Sequence, residues 1–128
     1  MTINVSTHKA AEDERNDNIL IYVNGKIVPK NEAVVSVYDS GFMLGDGIWE
    51  GLRLYNGKWA FLDEHIDRLF EASIAIDLNI NMNRNGVIQA LENTRIANNI
   101  TSDAHARLMI TRGVKTVSYT HLTLPTTD

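Results

Sequence analysis

The sequence contains no cysteine, which excludes a disulfide framework and thiolate chemistry and fits a reducing compartment. No apolar run approaches the roughly 18 residues that a membrane span requires, and the N-terminus lacks the charged-then-apolar pattern of a signal peptide. An excess of basic charge is missing too. Twelve Lys and Arg against 16 Asp and Glu leave a formal net charge of −4, so there is no electrostatic footprint for nucleic acid. These absences point to a cytosolic protein that binds neither nucleic acid nor membrane. What is present is ordinary for a globular chain: 44% hydrophobic and 22% charged residues in a length of 128, enough for one domain that buries about two thirds of its unfolded surface.

Residues 1–17 are polar, carry the mixed-charge run Glu12-Asp13-Glu14-Arg15 and show no periodicity; they are expected to form a loose tail. From Asn18 the pattern changes. Two β-rich runs, Ile19–Val23 and Lys26–Val28, flank Asn24-Gly25, a dipeptide that accepts the positive φ angles of a type I′ hairpin turn. Ala33–Val37 is short, apolar and β-branched, a further strand or an extended crossing. A second Asn-Gly pair, Asn56-Gly57, makes a second hairpin of Gly47–Phe61.

Asp63 is placed to cap a helix from Glu64 to about Ile76, with Ile66, Leu69, Phe70, Ser73 and Ile74 as its core stripe. Asn83 is placed to cap a second helix that runs to about Asn98 and packs through Val87, Ile88 and Leu91. Ala104–Thr111 then alternates as a strand, with His105, Arg107 and Met109 on one face. The implied class is α+β, a small antiparallel sheet of hairpins with two helices packed on one face. Residues 117–128 follow neither period. The run Ser118–Thr126, SYTHLTLPT, looks like the translation of a sequencing-adapter read-through, a non-native tail to be set aside.

Chemistry concentrates in Tyr38–Tyr55, YDSGFMLGDGIWEGLRLY. After the glycine-rich turn, Trp49, Gly51 and Arg53 share one strand parity while Ile48, Leu52 and Leu54 share the other. An aromatic, a bare backbone and a cation on one face resemble the wall of a site. A core tryptophan beside a solvated arginine is the commoner situation for each residue alone, but a glycine between them often marks a close approach. Glu50 is the anomaly on the apolar parity, either paired in the core or the sign of a bulge.

Four blocks, NGKIVP, YDSGFMLGDGIWEGLRLYNGK, LDEHIDRL and RLMITRG, resemble in order and spacing the N-terminal domain of the class IV pyridoxal-phosphate aminotransferases. That family includes branched-chain and D-amino-acid aminotransferases and aminodeoxychorismate lyases. The resemblance implies pyridoxal 5′-phosphate as cofactor, an amino acid and a 2-oxo acid as substrates, and a homodimer or larger assembly of the full-length protein. It implies that Arg68 contacts the cofactor phosphate, where planar bidentate bonding suits a guanidinium. Residue spacing alone would instead pair Arg68 with Glu64 and Glu71 on the helix surface. With Ile66 facing the core, His65, Arg68 and Ala72 fall on one flank.

By the same resemblance Trp49 lines the substrate pocket, Gly51 and Arg53 adjoin it, and Leu44 stands where relatives usually carry an aromatic. Arg107 matches an arginine of branched-chain members and Arg112 the carboxylate-binding arginine of D-amino-acid members. A separation of five puts these two on opposite faces of a regular strand, so one is expected to bind substrate and the other to be structural. None of Lys9, Lys26, Lys30, Lys58 and Lys115 lies in a context resembling the family's cofactor-binding lysine. The expectation is therefore an inactive fragment covering residues 18–116 of the family's smaller domain. The alternatives are a fragment of a lyase of the same family, or a non-catalytic ligand-binding or interaction domain.

Overall fold

A computed structural model describes residues 13–114. The expectations for residues 1–12 and for the read-through tail, with Lys9 and Lys115, lie outside the described residues.

Both Asn-Gly signals are turns. Strands β1 (Leu20–Val23) and β2 (Lys26–Pro29) pair antiparallel, with Asn24 and Gly25 at φ of 50° and 88°. Strand β3 (Gly47–Tyr55) turns through Asn56-Gly57 into the two-residue β4 (Lys58–Trp59) and pairs along its length with β5 (Ala104–Thr111). The order in this sheet is β4-β3-β5, and β1-β2 is a sheet of its own. The single sheet of hairpins expected from sequence is thus two sheets. The free edge of β1 docks on a helix: the Asn98 amide accepts from Leu20 N at 2.7 Å and donates to Leu20 O at 2.9 Å. A side chain there does the pairing that a neighbouring strand would do.

Helix α1 (Ser40–Leu44) occupies the glycine-rich turn. Asp39 caps it by accepting from Gly41 N, and Gly45 closes it in the left-handed conformation at φ 67°. At five residues, with Gly41 inside it and Gly45 behind it, it is too short for a periodic signal. Helix α2 (Leu62–Ala75) and helix α3 (Arg84–Ala97) pack on one face of the larger sheet, with Leu52, Ile66, Leu69, Val87 and Leu91 as the buried cluster. Trp59 fastens β4 to α3 by donating to Glu92 at 2.8 Å. Among the described residues no helix is long and apolar enough to cross a membrane.

Three local expectations fail for physical reasons. Asp63 is not the cap of α2. Phe61 takes the left-handed conformation at φ 54° and the helix begins one residue later, so Asp63 lies in its first turn and pairs with Arg84. Ile74 is 80% exposed, because at 100° per residue it lies about 80° round the helix from Ile66 while Ser73 faces the core. Residues 13–17 are also better held than their composition suggests: Glu14–Asn16 forms a 3-10 turn, and Arg15 donates to the carbonyls of Ser102 and Asp103. Ala33–Val37 is a crossing rather than a strand.

Candidate functional site

Strand register divides the candidate residues into two groups. The odd residues of β3 point away from the helices, and opposite them β5 presents His105, Arg107 and Met109 in the pairs Arg53↔His105, Gly51↔Arg107 and Trp49↔Met109. Trp49 is 57% exposed, which excludes a core tryptophan. Arg107 stacks on it with its guanidinium carbon 4.6 Å from the ring, an arrangement that holds the cation by attraction to the π face. Arg53 is braced by Tyr55, donating to its hydroxyl at 3.2 Å and lying over its ring at 5.5 Å. The bare backbone at Gly51 has an occupant: a Cβ there would come within 2.9 Å of His105 Nε2. The close approach that the glycine signals is made by this imidazole.

The even residues face the helices, and there the anomalous acid finds its partners. Glu50 is 5% exposed. Arg68 binds it in fork geometry, Nε to Oε2 at 2.7 Å and Nη2 to Oε1 at 2.6 Å, and His65 Nδ1 lies 2.7 Å from Oε1. The Arg68 bonds, and secondarily those of His65, hold the Glu50 carboxyl below the usual carboxylate range against the opposing effect of burial. Glu50 is therefore paired and β3 carries no bulge beside it, since its ladder with β5 runs unbroken from Gly47 to Leu54. Arg68 does not take the surface pairing with Glu64 and Glu71 that spacing favours. His65 and Arg68 do share a flank, as the helical step requires, and with Phe61 and Glu64 they line an open depression of about 340 Å³.

Arg112 belongs to neither group. It donates to Asp46 Oδ2 at 2.7 Å and to the carbonyls of Ile76 and Asp77 at 2.8 and 2.9 Å. It ties the end of β5 to the chain entering β3 and to the C-terminal end of α2. Its pKa is raised, chiefly by the Asp46 bond. Leu44, at the end of α1, is 60% exposed. The structure thus brings Trp49, Gly51, Arg53 and Arg107 together, sets Arg68 on the other face of the sheet, and leaves Leu44 and Arg112 outside both. Among the described residues no group of His, Asp and Glu is placed to hold a metal ion.

The model of the family described as amino-transferase class IV matches residues 47–127. The chain belongs to the class IV aminotransferases. An Arabidopsis thaliana branched-chain-amino-acid aminotransferase-like protein is 42% identical over 103 residues, 80% of this chain and 18% of the relative. A D-alanine aminotransferase of Listeria innocua is 40% identical over 95 residues, 74% of this chain and 32% of the relative. Among solved structures, a T.th. branched-chain amino acid aminotransferase complexed with N-(5′-phosphopyridoxyl)-L-glutamate superposes with a TM-score of 0.70 at 25% identity, over 78% of this chain and 35% of that one. The chain spans about a third or less of the length of these proteins. Two kinds of class IV aminotransferase match at nearly equal identity, as blocks common to both would.

Two features of the site were hidden in the sequence. Glu50 stood out as a misplaced acid, but its partners lie 15 and 18 residues away on another element. A lone acid on an apolar parity with cations on one helix flank downstream is the signal that could have joined them. Phe61 gave no signal, because its place beside Arg68 follows from a backbone conformation that a bulky residue seldom adopts.

Proposed function

We propose that this chain is part of a pyridoxal-phosphate-dependent aminotransferase that moves an amino group between an amino acid, branched-chain L- or D-, and a 2-oxo acid. In this reading residues 18–116 form the smaller domain of a cytoplasmic enzyme that works as a homodimer or larger assembly. The observation that carries the reading is Arg68. Two of its five N–H donors are taken by Glu50, and the other three remain for a ligand. Although so fixed, its side chain is 68% exposed and borders the open depression. A buried acid holding an exposed guanidinium fits the phosphate end of the cofactor, which needs a charge-assisted donor in a set plane. When bound, the cofactor supplies the electron sink for the transfer.

On the other face, Arg107 is the residue we assign to the substrate carboxylate, and Arg112 is the structural one of the pair. Arg107 stacks on Trp49, whereas the Arg112 fork already spans Asp46 and two main-chain carbonyls. Stacking orients a guanidinium while leaving its edge open for a carboxylate. Trp49 and Arg53 offer the aromatic and cationic surface around it, and Leu44, exposed at the end of α1, stays apart from it.

The test is a chimera in which residues 18–114 replace the matching segment of the Listeria innocua D-alanine aminotransferase. The chimera is expected to transaminate, and the 128-residue chain assayed beside it to show no turnover. In the chimera, Arg107→Ala raises KM for the amino acid by about tenfold or more, and Arg112→Ala lowers the melting temperature with little change in KM. Equal effects of the two on KM would sink the assignment.

A further inference from the structure

Glu50 is the residue whose chemistry is still unassigned. An acid on the helix-facing parity of β3, between Ile48 and Leu52, is a costly choice, because a buried carboxylate must be fully paired to be tolerated. Here it is fully paired. Arg68 takes both oxygens and His65 a second position on Oε1. The carboxylate sits on the sheet, 5% exposed, and the arginine it holds reaches out 68% exposed. We infer that Glu50 is a positioning residue: anchored in β3, it sets the plane of the Arg68 guanidinium so that the free edge meets a phosphate group in one orientation. This rests on the reading of Arg68 as a phosphate ligand.

Geometry favours this over a role in charge balance alone. A long flexible side chain that is ordered only when its ligand arrives loses affinity through the rotamers it must give up. A planar two-point pair to a group rooted in a strand removes that loss in advance. His65 closes the arrangement from the same flank of α2, so that the carboxylate cannot rotate and take Arg68 with it. The ligand class is a phosphate monoester or inorganic phosphate, whose oxygens accept from the outward N–H groups of Arg68.

Charge balance and positioning predict opposite signs. Glu50→Gln removes a negative charge close to the site, so if charge balance were its role, a dianion would bind more tightly. Positioning predicts weaker binding, by about three- to tenfold, the ordering loss of one rotamer-rich side chain. Inorganic phosphate is titrated into the 128-residue chain and into E50Q and R68A, following the Arg68 Nε–H signal by NMR where it is present. A phosphate-dependent shift that R68A abolishes and E50Q weakens supports the inference. Binding unchanged or strengthened in E50Q overturns it and leaves the Arg68 reading standing. No effect of phosphate on the unmodified chain overturns both. Should E50Q fail to fold, side-chain relaxation of Arg68 in the unmodified chain decides: Nε–H rigid before phosphate is added supports positioning, and Nε–H mobile until phosphate binds refutes it.

Discussion

Glu50 and Glu92 carry the pH dependence that this structure predicts. The Glu50 carboxyl is held low chiefly by Arg68, and that of Glu92 chiefly by Arg95 with help from Trp59. A carboxyl with a lowered folded pKa adds stability above its unfolded value of about 4.3 and loses it as the pH falls through the folded value. Urea midpoints are therefore expected to show no loss from these groups between pH 7 and about 5, then a fall below about pH 4.5. Glu50→Gln, which cannot ionise, flattens that fall. A midpoint difference between pH 7 and pH 3 as large in E50Q as in the unmodified chain would remove Glu50 from the account. At this scale the sequence was partly legible. The parity of Trp49, Gly51 and Arg53 was readable because strand alternation is strict, and so was the oddity of Glu50. The pairing of Glu50 with Arg68 was not, because nothing local to either residue encodes the packing of α2 on β3.

Elements were legible where backbone chemistry is local. Both Asn-Gly turns, the eight residues of β5 and the Asn83 cap, which accepts from Gly86 N at 2.8 Å, follow from dihedral preference and short-range hydrogen bonding. Helix α1 and the start of α2 were not legible, since the first depends on contacts from elsewhere and the second on the left-handed backbone at Phe61. Ser40 N donates to Gly113 O, and a Cβ on Gly41 would overlap Thr111 Cγ2. The glycine is there because the helix lies against β5. Gly41→Ala is expected to cost about 1–3 kcal/mol by overpacking, and adding Thr111→Ser, which deletes the offending methyl and keeps the hydroxyl, recovers about half. Urea denaturation of the single and double variants checks this. A double variant no better than G41A would mean that the strain lies in the backbone of the turn.

For the whole molecule, hydrophobic pattern located the core stripes of α2 and α3 but not what stays uncovered between residues 33 and 44. Val34, Val35 and Val37 belong to an apolar, β-branched run legible as a strand or an extended crossing, and they are 64–71% exposed, with Phe42 and Leu44 beyond them 72% and 60% exposed. Apolar periodicity reports that a side chain avoids water, not which body shields it. Exposed apolar side chains in this number favour association. The purified 128-residue chain is expected to bind a hydrophobic dye and to sediment as larger species as concentration rises. Val35→Lys combined with Phe42→Lys should shift it toward monomer; an unchanged sedimentation profile would place the association elsewhere.

The ladder of β3 on β5 also limits how this segment can change length. Its two faces carry different cargo, a buried carboxylate with its cations on one and a stacked tryptophan and arginine on the other. A single residue inserted or deleted between Gly47 and the Asn56-Gly57 turn would put the residues on one side of the change on the wrong face, splitting a set that the unbroken register keeps in place. The Val34–Val37 crossing, which forms no ladder, is under no such rule. Gaps among relatives should therefore gather in the crossing and spare the strand.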